Sequence, residues 1–120
     1  MKIPGYTLHG DYYLANNLIL GTTWYKQTCE IKQEITLPNG KIVVAHTLSK
    51  EELETIPKKE RAMKDYWYWT KTPDGDDGIY EWVVDYNGSF SLNIINNSND
   101  YGGVRLGFHK NKIRQFLDVE

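Results

Sequence analysis

The densest group of metal-ligating side chains in this 120-residue chain is Asp74-Gly75-Asp76-Asp77-Gly78. Carboxylates interleaved with glycines suit a hard cation such as calcium, which takes oxygen ligands. The EF-hand spacing fails, because Gly78 stands at the third ligand position and Ile79 at the glycine position. A looser calcium site and an acidic solvated turn both fit, and the solvated turn is the expectation. His9, His46 and His109 are scattered without ligand spacing. Cys29 is the sole cysteine, which excludes an intrachain disulfide and a cysteine-based zinc site. It reads as an idle thiol, since no activating histidine is adjacent in the sequence. Neither a glycine-rich phosphate loop nor a nucleophile elbow is present. These residues therefore predict a non-catalytic protein with no cofactor.

Length and charge narrow the class further. A chain of 120 residues fits one domain, 1–120, with enough surface to bury a real core. The formal charge of −2 provides no general attraction for nucleic acid. Lys58, Lys59, Arg61 and Lys64 form a basic cluster that reads as a solvated face. The apolar stretch from Leu14 to Leu20 is interrupted by Asn16 and Asn17 and is too short to insert in a membrane. The first residues lack a signal-type apolar region, so synthesis in the cytoplasm is expected, which is compatible with later assembly into a virus particle. Asn87-Gly88-Ser89 and Asn96-Asn97-Ser98 match the glycosylation pattern only formally. Four Trp, nine Tyr and three Phe supply side chains suited to cores and to binding faces alike.

These residues need elements to position them. Tyr12-Tyr13-Leu14 and Leu18-Ile19-Leu20 read as short strands, punctuated by Gly10 and Gly21. Cys29–Leu37 and Lys41–His46 flank Pro38-Asn39-Gly40, and Asn-Gly between β-rich runs predicts a hairpin. Ser49 and Glu52 form a capping box that starts a helix, and Pro57 ends or kinks it. The basic cluster follows on a second short helical turn. Trp82–Tyr86 and Ser89–Ile94 alternate about a second Asn-Gly turn, Asn87-Gly88. Phe90, Leu92 and Ile94 share one face, assigned to the core, and Ser89, Ser91 and Asn93 share the other. Asn96–Asp100 is a polar loop, and Gly103–Phe108 reads as one closing strand. The tail from Lys110 to Glu120 is expected to form a short helix or to pair with the N-terminal region.

Composition changes at Tyr66. Between Lys71 and Arg105 there is no Lys or Arg, while Asp74, Asp76, Asp77, Glu81, Asp85 and Asp100 give that stretch a local charge of −6. It also carries three short motifs in order. Trp69-Thr70-Lys71-Thr72-Pro73 resembles the Trp-x-Arg-Ser-Pro or Tyr-Trp-Ser-Ser-Thr entry of a C-type-lectin-like module. Trp82-Val83-Val84 before Gly88 resembles its Ala-Trp-x-Val-x-x-x-Gly strand, and Gly103-Val104-Arg105-Leu106 its closing Gly-Val-Arg-Pro. Lys71 and Leu106 depart from the pattern, Trp67 and Tyr68 add aromatics, and the first 65 residues carry none of its motifs. The resemblance is to the branch of the formylglycine-generating enzyme, which includes the variable proteins of diversity-generating retroelements. That enzyme needs a cysteine-held metal that Cys29 alone cannot supply, so the kinship does not imply its activity.

The resemblance implies a minimal C-type-lectin-like α+β fold, with a small twisted antiparallel sheet and one or two short helices. It also implies a variable ligand-binding segment at about 66–108. Adenine-directed mutagenesis yields Asn, Tyr, Ser, Asp, Ile, Phe and His. The expected binding residues are Tyr68, Asp76, Tyr80, Val83, Asp85, Ser89, Ser91, Asn93, Asn96, Asn97, Asn99 and Tyr101, with Asp100 drawn from the same set. Trp69, Trp82, Val84, Phe90, Leu92, Val104 and Phe108 are assigned to the scaffold. Arg105 is expected to brace it through a carboxylate or carbonyl oxygens. The implied partner is a protein or cell-surface ligand, bound by a monomer with no nucleic acid and no membrane insertion. Two alternatives stand beside this: a self-associating structural protein of a virion, and a lectin-like domain without a retroelement.

Overall fold

Glycine-punctuated alternating runs become strands because each presents one apolar face to bury. The computed structural model describes residues 2–20, 31–73, 80–94 and 102–113. The strands are β1 (Tyr6–His9), β2 (Tyr12–Ala15), β3 (Ile19–Leu20), β4 (Lys32–Thr36) and β5 (Ile42–Thr47). Helices α1 (Lys50–Glu54) and α2 (Lys58–Arg61) follow. The second half holds β6 (Trp67–Pro73), β7 (Tyr80–Val84), β8 (Phe90–Ile94), β9 (Gly102–Val104) and β10 (Leu106–His109).

The strands form two sheets where one antiparallel sheet was expected. The first has the order β1-β2-β10-β5-β4 and is antiparallel throughout. The second has the order β3-β9-β6-β7-β8 and is mixed, because β6 and β9 run parallel. The chain is thus a small, mostly stranded α+β protein. The expected closing strand is two strands. Its residues leave the second sheet as β9 and join the first as β10, with the crossing at Arg105. Strand β1 was not foreseen; Gly5 and Gly10 on either side of Tyr6–His9 were its only sequence signal. Of the tail, only Lys110–Ile113 lies within the described residues. The Lys110 N–H donates to Asp11 O at 2.8 Å, and Ile113 N–H closes a turn onto Lys110 O at 3.0 Å.

Other local expectations hold. β4 and β5 pair with Thr36 opposite Ile42 across the Pro38-Asn39-Gly40 turn. The Ser49 capping box is complete: Glu52 N–H donates to Ser49 Oγ at 3.1 Å, and Ser49 N–H donates to Glu52 Oε1 at 2.9 Å. Pro57 separates the helices and caps α2.

Packing falls into two clusters. One lies between the sheets and contains Val43, Ala45, Trp67, Trp69, Val83 and Phe108. The Trp67 and Trp69 rings meet edge to face at 5.0 Å. A Cβ at Gly102 would lie 2.1 Å from the Trp67 ring, so only glycine lets β9 run alongside that tryptophan. The other cluster joins Leu14, Leu48, Leu53, Ile56, Tyr68 and Val84, with the helices as its cover. Strand β6, central in its sheet, is therefore buried on both faces.

Arg105, 5% exposed, ties these parts together. Its Nε donates to Ala15 O at 2.7 Å and its Nη1 to Arg61 O at 3.1 Å. The guanidinium carbon lies 5.7 Å from the Tyr68 ring centre, within cation–π range. The Tyr68 hydroxyl donates to the same Arg61 carbonyl at 2.7 Å. The brace expected of Arg105 thus uses carbonyl oxygens. Arg105→Gln is expected to cost about 3 kcal/mol in urea denaturation, since two bonds from a charged donor are lost in a buried place. Tyr68→Phe, which removes one neutral bond, is expected to cost about 1 kcal/mol.

Candidate functional site

The β7–β8 hairpin is built around its turn. Asp85 N–H donates to Ser89 O at 2.8 Å, and Gly88 N–H donates to Asp85 O at 2.9 Å. Gly88 has φ +88°, the left-handed residue of a three-residue hairpin loop. It also presses against α2, where a Cβ would lie 2.1 Å from Lys58 O. Arg61 Nε donates to Gly88 O at 3.0 Å and its Nη1 to Ile56 O at 3.1 Å. Arg61 therefore does not belong to the solvated basic face expected for it; Lys58, Lys59 and Lys64 do.

Pairing sets which side chains share a face. Tyr80, Trp82 and Val84 stand opposite Ile94, Leu92 and Phe90 on one side. Glu81 and Val83 stand opposite Asn93 and Ser91 on the other. The predicted alternation is correct, but the assignment of its faces is reversed over most of the ribbon. Val83, expected at the binding surface, is 3% exposed and packs in the cluster between the sheets. Tyr68, also expected there, is 1% exposed, because the helices cover its face of β6. Burial pushes its hydroxyl pKa up, although Arg105 and Arg61 oppose the shift.

Leu92 and Ile94, which the alternation assigns to the scaffold, face outward with exposures of 44% and 47%. Tyr80 beside them is 40% exposed. Trp82 and Phe90 are half-buried and lie under cations from the helices. Lys50 Nζ sits 4.8 Å from the Trp82 ring and 5.2 Å from the Phe90 ring, and Arg61 Cζ sits 4.5 Å from Phe90. Lys50 is held by its N–H bond to Thr72 Oγ1 at 2.9 Å and by an ion pair with Glu54. The result is an aromatic and aliphatic strip with a cationic rim near the helices. Val84 beneath it is fully buried, as expected of a scaffold residue.

The remaining expected residues divide into two groups. Asp85, Ser89, Ser91 and Asn93 are half-buried at the turn and on the inward side. Asp85 Oδ1 accepts from Tyr86 N–H at 2.8 Å, its Oδ2 accepts from Ser91 Oγ at 3.3 Å, and Asn93 Oδ1 accepts from Ile94 N–H at 2.9 Å. They shape the hairpin. Asp76, Asn96, Asn97, Asn99, Asp100 and Tyr101 lie outside the described residues, as do the acidic Asp74–Gly78 stretch and Cys29.

Glu81 went unremarked as a site residue, although its phase with Val83 marks it as sharing that strand face. Its side chain is fully buried, and neither carboxylate oxygen has a hydrogen-bond partner among the described residues. Burial pushes its pKa up to about 7 from 4.5. Such a group is a proton donor or acceptor near neutrality. Among the described residues no three His, Cys, Asp or Glu side chains converge into a metal site. His9 pairs with Glu60 at 3.2 Å, far along the chain from Glu81. No described helix is long and apolar enough to cross a membrane. Compared with protein-family models, curated proteins and solved structures, the chain gave no match.

The raised value fixes a pH dependence. Below about pH 4.5 both folded and unfolded chains hold the Glu81 proton, so burial carries no charge penalty. Between 4.5 and about 7 only the unfolded chain releases it, and stability falls as pH rises. The expected loss across that window is about 3 kcal/mol from this group. Glu81→Gln is expected to flatten that part of the curve of unfolding free energy against pH.

Proposed function

We propose that this chain is a non-catalytic ligand-binding module of minimal C-type-lectin-like fold, similar to the variable protein of a diversity-generating retroelement. Its contact face is the outer strip of the β7–β8 ribbon. The observation that carries this reading is the joint exposure of Tyr80, Leu92 and Ile94 on two paired strands. Complete burial of a large apolar side chain is worth roughly 1.5–3 kcal/mol, and these three are already more than half covered, so each gains on the order of 1 kcal/mol from a partner. Trp82 and Tyr80 are residue types that dominate binding interfaces, and Lys50 adds a cation at the rim. Packing of Val83 and Val84 on the two sides of β7 keeps the strip rigid, which lowers the ordering cost of binding.

Tyr80, Ile94, Asn93, Ser91, Ser89 and Asp85 all belong to the residue set that adenine-directed mutagenesis produces. The retroelement reading moves the principal contacts from the serine face to the Tyr80–Ile94 face. The partner is a protein or cell-surface ligand.

The test is a library of the full chain randomised at Tyr80, Leu92 and Ile94. Most members are expected to keep the parent melting temperature within a few degrees, and selection against a chosen soluble protein is expected to enrich specific binders. General unfolding of the library would sink the display reading. The coding DNA is expected to have a near-copy of this segment nearby, differing at adenines, beside a reverse transcriptase gene. Self-assembly is the second reading, favoured because β8 is an edge strand among the described strands and Phe90–Ile94 carries no charge to block strand addition. Sedimentation velocity over a concentration series separates the two: a monomer supports display, and concentration-dependent growth supports assembly.

A further inference from the structure

A second concavity lies on the first sheet, away from the strip. It is a cleft of about 570 Å³ between residues 2–8, β2 and the β4–β5 turn. Small-molecule sites span roughly 300–1,000 Å³. Its walls are largely apolar: Ile3, Pro4, Tyr6, Leu8, Tyr13 and Pro38. Both tyrosines are braced by the buried Phe108. The Tyr13 ring stacks on it at 5.3 Å and 18°, and the Tyr6 ring tilts on it at 5.6 Å and 47°. The N-terminal wall is pinned by Tyr6 N–H to Ile3 O at 3.1 Å and by Asn16 N–H to Gly5 O at 2.8 Å.

The polar groups of the cleft are biased in one direction. Thr7 Oγ1 donates to Asn16 Oδ1 at 2.7 Å, which occupies the amide oxygen. The Asn16 amide N–H groups then have no acceptor among the described residues. Lys2, on the rim, pairs with no described carboxylate, and among the described residues no carboxylate lines the cleft. Burial raises the Tyr6 hydroxyl pKa above its ordinary value, so the group is neutral and can donate. Two tyrosine rings and two prolines in an apolar lining favour a planar ring, and the Asn16 amide N–H groups with the Lys2 cation favour an anion.

We propose that this cleft binds a small planar aromatic carboxylate. The ring lies against Tyr6, Tyr13 and the prolines, and the carboxylate faces Lys2 and the Asn16 amide. This site is independent of the β7–β8 strip.

The test is an amide-resolved NMR titration of the full chain with indole-3-acetate and with benzoate, using tryptamine as the cationic counterpart of the first. Saturable shifts are expected at Tyr6, Thr7, Tyr13 and Asn16 with both carboxylates, and tryptamine is expected to bind about tenfold more weakly than indole-3-acetate. Lys2→Glu and Asn16→Asp, both at exposed positions, are each expected to weaken indole-3-acetate about fivefold without moving the melting temperature. The proposal is overturned if neither carboxylate gives saturable shifts at these residues. It is equally overturned if tryptamine binds as well as indole-3-acetate, or if both substitutions leave its affinity unchanged.

Discussion

The carbonyl oxygen of Arg61 accepts from both the Arg105 guanidinium and the Tyr68 hydroxyl, and the two sheets and the helices meet there. Arg105 stands where the chain passes from one sheet to the other, so its side chain lies at the corner between them. A second bond from its Nε reaches Ala15 at the end of β2. A buried cation with no carboxylate partner among the described residues is tolerable only when several oxygens and a ring face share its charge. The geometry is consequently demanding, and the placement of α2 follows from it. The Arg61 side chain then extends the same network to the Gly88 carbonyl and the β7–β8 turn.

Burial on both sides makes the second sheet a firm support. Trp69 and Val83 face the first sheet, while Tyr68 and Val84 face the helices. β6 and β7 are further tied by the Thr70 hydroxyl, which donates to Trp82 O at 2.8 Å where the strand register shifts. Cover on the helix side reaches Trp82 and Phe90 through Lys50 and Arg61, while Leu92 and Ile94 stay exposed.

Opposite that strip lies the least favourable feature of the fold. Glu81 places a carboxyl among buried side chains with no hydrogen-bond partner among the described residues. It is the neutral acid that this environment accepts, and the ionised form that it resists.

Local chemistry was legible from the residues alone. The Ser49 capping box, the Asn39-Gly40 and Asn87-Gly88 turns, and the alternation on either side of Gly88 depend on neighbours a few positions apart, and all form as read. The bracing role of Arg105 was also legible, because a lone basic residue among apolar neighbours needs oxygens. The side of the ribbon that faces the core could not be read. Period-two alternation places Phe90, Leu92 and Ile94 together but is silent on what lies over them. The division of Gly103–Phe108 between two sheets, the burial of Tyr68 and Val83, and the isolation of Glu81 all depend on strands and helices distant in the chain. Pairing partners and layer contacts decide those, and tertiary packing alone brings them together.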